Sequence, residues 1–148
     1  MLLGGVTSGG IMNTASTPAK SLRERLLLQH QVQGAFLFLA SPDVDEIMAL
    51  AGFGALIVDR EHASSDLSGA LAELRAIRSV SDVPVLVRVC DASQAVIKPL
   101  LDAGFDGIVV ADVRSATEAR SIVEAAHYPP LGRRGAQFTV SRAASYGG

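Results

Sequence analysis

The sequence predicts a parallel α/β fold assembled from repeated strand–helix units, the kind of unit from which a (β/α)-barrel or a doubly wound sheet is made. Three observations carry the prediction. Four short apolar, β-rich runs recur at residues 34–40, 55–58, 84–89 and 107–111, and uninterrupted runs of this kind suit strands covered by helices. Stretches with helical apolar spacing separate them. An internal echo ties the units together: Ala51-Gly-Phe-Gly-Ala-Leu-Ile-Val-Asp59 and Ala103-Gly-Phe-Asp-Gly-Ile-Val-Val-Ala111 repeat helix end, glycine, phenylalanine and strand in one order.

Residues 1–20 are rich in Gly, Ser and Thr with no apolar period, so they are expected to form a disordered tail or an extension. The partial barrel-like domain then occupies residues 21–148. Ser21 opens a short helix through Leu22 and Leu26. After the first strand, Ser41-Pro42 marks a helix start with a hydroxyl cap and proline at the first helical position; Val44, Ile47, Met48 and Ala51 fall on one face and Gly52 ends it. The helix over residues 66–78 turns Leu67, Ala70, Leu71, Leu74 and Ile77 inward. A third long helix spans residues 93–103 and closes at Gly104. Pro99 inside it predicts a kink or a late start, because it removes an amide donor and crowds the carbonyl four residues earlier. Ser115-Ala-Thr-Glu118 is a capping box opening a helix to about residue 126. Residues 128–135 read as a turn-rich loop, and residues 136–148 hold too little apolar content for a fifth strand–helix unit.

Composition narrows the class of function. The 148 residues are 49% hydrophobic and 19% charged, enough for one cored domain and little more. A net charge of -2, with basic and acidic residues interspersed, offers no stripe for a phosphate backbone and argues against nucleic acid. No apolar run reaches the roughly 20 residues that span a bilayer. The lone Cys90 is expected to be a buried, inert thiol, and the reading is of a cytoplasmic protein.

The stretch Ala55-Leu-Ile-Val-Asp-Arg-Glu-His62 draws the functional attention. Its apolar run stops and four polar or charged residues follow, placing Asp59, Glu61 and His62 at the carboxyl end of a parallel strand, where such folds gather their ligand-binding loops. Arg88 falls near the carboxyl end of the next strand, as a catalytic cation or as a strand-end residue paired with Asp59 or Asp91.

Val58-Asp-Arg-Glu-His62, Val87-Arg88-Val89, Leu100-Leu-Asp-Ala-Gly104 and Tyr128-Pro-Pro-Leu-Gly-Arg-Arg-Gly135, in this order and spacing, resemble the HpcH/HpaI aldolase family. The resemblance covers residues 22–148 and implies a (β/α)-barrel of the TIM type, here its first half. It also implies a metal-dependent class II aldolase, an aldehyde-lyase releasing pyruvate from 4-hydroxy-2-oxo acids such as 4-hydroxy-2-oxoheptanedioate and 2-keto-3-deoxy sugar acids. By the same resemblance Arg88 contacts the pyruvyl oxygens, His62 is the acid/base and Asp59 and Glu61 shape the site or hold metal-bound water. Asp102 matches the acidic residue that orients the histidine. The cofactor implied is a divalent metal, Mg²⁺ or Mn²⁺, whose Glu and Asp ligands come from strands in the second half of the barrel. The expected partners are a small 2-oxo acid substrate and further copies in a homo-oligomer.

Departures from the family pattern shape the rival readings. Four units fit in this chain whereas a full barrel takes about 200 residues or more, and relatives carry proline where this chain has Ala111-Asp112. The chain is therefore expected to be truncated or to complete itself with a copy or partner, with little activity alone. One rival is a non-catalytic fragment or interaction module. Another, a receiver-like domain with Asp59 as phosphoacceptor, needs an acidic pair after the first strand and a lysine after the last. Ala40-Ser41 and the residues after Gly135 supply neither. Because Asp102 ends a helix that has returned to the opposite end of the sheet, its service to His62 would require a neighbouring subunit.

Overall fold

Residues 21–28 and 31–148 are described by the computed structural model; the expected tail at 1–20 lies outside the described residues. Helix α1 (Leu22–Leu28) precedes an alternation of β1 (Gly34–Leu37), α2 (Pro42–Leu50), β2 (Ala55–Asp59), α3 (Leu67–Val80), β3 (Val85–Val89), α4 (Gln94–Asp102), β4 (Gly107–Val110) and α5 (Ala116–Ala126). A 3₁₀ turn at Arg142–Gly147 follows and packs on α4. The four strands form one parallel sheet in the order β1-β2-β3-β4. Four strand–helix units in sequence order are the expected half of a (β/α)-barrel.

The register sorts strand residues onto two faces. Leu37, Leu56, Val58, Val85, Val87 and Val89 point into a core completed by Ala70, Leu74 and Ile77 of α3 and Leu100 of α4. Each of the Val, Leu and Ile side chains contributes about 1.5–3 kcal/mol by leaving water. The other face carries Phe36, Ile57, Asp59, Leu86, Arg88 and Val109, which are cross-strand neighbours in register. Strand burial consequently alternates along β3 and is intermediate throughout β4, so the expectation of strands buried on both faces holds for the helix-covered side alone.

Several local expectations meet the structure differently. Ser115 accepts from the Glu118 amide at 3.1 Å, but the Glu118 carboxylate reaches back to the amide of Arg114, one residue before the position a reciprocal box uses. Ser41 makes no side-chain cap; α2 begins instead on Pro42 and on the Asp45 amide bonding the Ser41 carbonyl at 3.0 Å. Helix α4 shows no late start and runs through Pro99. One lost backbone bond is outweighed there by the complete burial of Ile97 and Leu100. Cys90 is exposed, because β3 ends at Val89 and the thiol belongs to the turn that follows.

The face of α2 is rotated from the apolar spacing. Ile47 and Leu50 are 67% and 68% exposed, while Asp45 and Ala49 are buried. The repeated Ala-Gly-Phe segments, by contrast, are structurally equivalent: Ala51 and Ala103 close α2 and α4 in right-handed geometry, and Gly52 and Gly104 follow at φ +89° and +99°. A side chain at either glycine would be strained.

Candidate active site

Parallel pairing of β2 with β3 makes Asp59 and Arg88 direct cross-strand partners at the carboxyl edge of the sheet. Their side chains meet in a two-point contact, Nε to Oδ1 at 3.0 Å and Nη2 to Oδ2 at 2.6 Å. Asp59 is 2% exposed, and its Oδ1 also accepts from the amides of Glu61 at 2.8 Å and His62 at 3.4 Å. The Arg88 guanidinium, with the backbone bonds and despite burial, holds the Asp59 carboxyl down at about 2. Asp59 reciprocally raises the pKa of Arg88.

Three further groups surround the guanidinium. Glu61 Oε2 lies 3.2 Å from Arg88 Nε, and its Oε1 lies 3.6 Å from Nε2 of the exposed His62. Phe36 of β1 presents its ring 4.7 Å from Arg88 Cζ, a cation–π contact. Asp59 and Glu61 thus take Nε and Nη2, and among the described residues no side chain bonds Nη1. The structure brings together Asp59, Glu61, His62 and Arg88; Phe36 joins them without having been expected. Nothing in the local sequence marks it, since its place follows from β1 lying beside β2 in register.

Asp102 stands apart from this cluster. It ends α4, about 13 Å along a nine-residue helix, on the side where β4 begins. Its carboxylate pairs with Arg134 at 2.5 Å, the Arg134 guanidinium lies 4.6 Å from the Tyr128 ring centroid, and Ser141 donates to the Asp102 carbonyl at 3.1 Å. The turn-rich segment after α5 therefore serves to fasten the far end of α4.

The donor set does not fit a metal ion by itself. Among the described residues no group of three His, Cys, Asp or Glu side chains is placed to hold one, and both oxygens of Asp59 are committed to Arg88. Among the same residues no helix is long and apolar enough to cross a membrane.

Residues 33–144 match the HpcH/HpaI aldolase/citrate lyase family. The chain belongs to that family. It is 37% identical over 132 residues to a 4-hydroxy-2-oxovalerate aldolase of Novosphingobium aromaticivorans, covering 89% of this chain and 50% of that protein. To a hydroxypyruvate/pyruvate aldolase of Pseudomonas aeruginosa it is 37% identical over 129 residues, covering 87% and 48%. An HpcH/HpaI aldolase/citrate lyase family protein from Burkholderia cenocepacia superposes with a TM-score of 0.79 at 30% identity, covering 85% of this chain and 51% of that one. The chain spans about half the length of the curated relatives it matches.

Proposed function

We propose that the protein cleaves 4-hydroxy-2-oxo acids to pyruvate and an aldehyde by retro-aldol chemistry, with Arg88 as the group that receives the 2-oxo acid. The supporting observation is the guanidinium held at the carboxyl edge by Asp59, Glu61 and Phe36, with Nη1 uncommitted among the described residues. Breaking the C3–C4 bond needs a base for the C4 hydroxyl proton and positive charge where the enolate oxygen develops. His62, exposed at the surface beside Glu61, takes that proton; the electron pair of the broken bond passes to the enolate, and the returning proton at C3 completes pyruvate. A divalent ion, Mg²⁺ or Mn²⁺ by the family expectation, would take its ligands from outside the residues described.

Asp102 enters this reading through assembly. If it orients His62, it comes from a neighbouring copy of a homo-oligomer and exchanges Arg134 for the histidine. Mixing inactive His62→Ala and Asp102→Ala subunits should restore part of the activity. No recovery despite proven subunit exchange would remove Asp102 from the site.

The direct test is pyruvate release from a 4-hydroxy-2-oxo acid by a complete enzyme carrying this sequence, supplied with Mg²⁺ or Mn²⁺ and set against Arg88→Ala and His62→Ala; the 148 residues alone are expected to release little. Activity lost in both variants supports the reading. Pyruvate release unaffected by either would remove that residue, and no release by the unsubstituted complete enzyme would favour a non-catalytic half-barrel module.

A further inference from the structure

A second pair of acidic side chains lies on the other side of the sheet, where no mechanism uses it. Asp45 of α2 and Glu73 of α3 are each 1% exposed and hydrogen-bond to one another. Two carboxylates cannot bond unless one carries a proton. The unpaired oxygen makes the same point: Asp45 Oδ2 is buried without a partner, an expensive arrangement for an ionised group.

Among the described residues no Lys, Arg or His side chain acts on either carboxyl; Arg60, which follows Asp59, keeps a buried Nε that is likewise without a partner there. Glu73 is the charge acting on Asp45, and Ser65 and Asp45 are the groups acting on Glu73. On α2 the other acids, Asp43 and Glu46, flank Asp45 in sequence and add negative charge. On α3 the Arg78 guanidinium is committed to Asp106 and the Val83 carbonyl. The strands beneath present Leu37, Leu56 and Val58, and Asp59 faces the opposite side with Arg88.

One contact leads outward. The Ser65 hydroxyl donates to Glu73 Oε1 at 3.0 Å, and Ser65 belongs to the segment joining β2 to α3, the one that bears Glu61 and His62. The hydroxyl sits so close to the first turn of α3 that a Cβ at Gly69 would come within 2.4 Å of it. Asp66, the next residue, caps α3 by accepting from the Gly69 amide at 2.8 Å.

We propose that Asp45 and Glu73 share one proton, and that the proton-bearing pair fastens the segment after β2, through Ser65, to the α2–α3 contact. Loss of the proton leaves two negative charges in a dry interface. The helices are then driven apart and the anchor of Ser65 weakens, loosening the loop that carries Glu61 and His62. The device goes beyond the retro-aldol reading and does not depend on it, since it concerns the loop whatever the loop binds.

Its sign is opposite to that of an ordinary paired carboxylate. Burial, with Glu73 second, raises Asp45 from 3.8 to about 7, so the folded chain holds a proton that the unfolded chain releases. This stability is full below about pH 4 and is lost as pH rises toward about 7.

Denaturant unfolding of the intact protein from pH 4 to pH 8 tests the pair. The native folding constant should fall by up to about tenfold per pH unit across that window. Asp45→Asn, which replaces the shared proton with an amide hydrogen, should flatten the decline and leave the variant more stable than the native protein at pH 8. Glu73→Gln should move the decline to lower pH, which keeps the test decisive if Asp45→Asn does not fold. Amide exchange tests the link. Protection of the Glu61 and His62 amides should fall with pH in the native protein and become insensitive to pH in Ser65→Ala, whose global decline persists. An unchanged slope in Asp45→Asn would overturn the shared proton. So would a native decline cancelled by added Na⁺, Mg²⁺ or Ca²⁺ at fixed pH, which would assign the pair to a cation. Identical exchange in Ser65→Ala and native protein would overturn the fastening.

Discussion

Asp59 and Asp45 are the same residue at nearly the same depth, 2% and 1% exposed, and they behave in opposite ways. Asp59 meets a guanidinium that donates twice, and its carboxyl is pushed down to about 2. Asp45 meets desolvation and another carboxyl, and is pushed up to about 7. Depth alone therefore does not decide whether a buried acid is charged; the neighbour does. At the carboxyl edge of the sheet the pairing holds a charged guanidinium in place, and between α2 and α3 the proton of our proposal holds a packed interface together.

The contrast breaks most visibly at Arg88. Arg88→Ala should lower kcat/KM for pyruvate release by at least about 100-fold, the scale set by removing a group that stabilises developing negative charge. It also leaves Asp59 buried with amide donors alone, so its carboxyl should rise toward the ordinary range, as a side-chain titration would register. Arg88→Lys should fall nearly as far, because a point charge cannot copy a two-point fork.

A smaller effect sharpens the acid side. Asp59 has a depressed pKa in the folded chain, so its stability is present above about pH 4 and is lost as pH falls toward about 2. Asp59→Asn should abolish that acid-range loss, worth up to about tenfold in folding constant per pH unit, while leaving the decline between pH 4 and 7 untouched. Ser115→Ala, on a helix cap remote from both acids, should cost about 1 kcal/mol at every pH and serves as the control. The smallest change is Phe36→Leu. Removing the ring beside Arg88 should raise KM roughly two- to fourfold with kcat held.

Much of this was legible in the sequence because it is local. Apolar runs located all four strands, and the paired Ala-Gly-Phe segments located two helix ends whose glycines have the left-handed backbone expected. The cluster at the end of β2 was legible for the same reason. The sequence alone allows Arg88 either Asp59 or Asp91 as partner, and the choice needs the register of two strands. Other features depend on residues distant in sequence. Arg134 finds Asp102 across 32 positions and Phe36 finds Arg88 across a neighbouring strand. The face of α2 was misjudged because helical spacing counts aspartate as outward and Ile47 as inward. In the structure Asp45 is buried instead, interacting with Glu73 of α3, and Ile47 turns outward.

The most direct measurement is a ¹³C NMR titration of the side-chain carboxyl groups of the intact protein, read at Asp59 and Asp45 together. Asp59 should remain ionised down to about pH 2 while Asp45 takes up its proton near pH 7. Both carboxyls titrating together near pH 4 would contradict the assignment of opposite roles to the two.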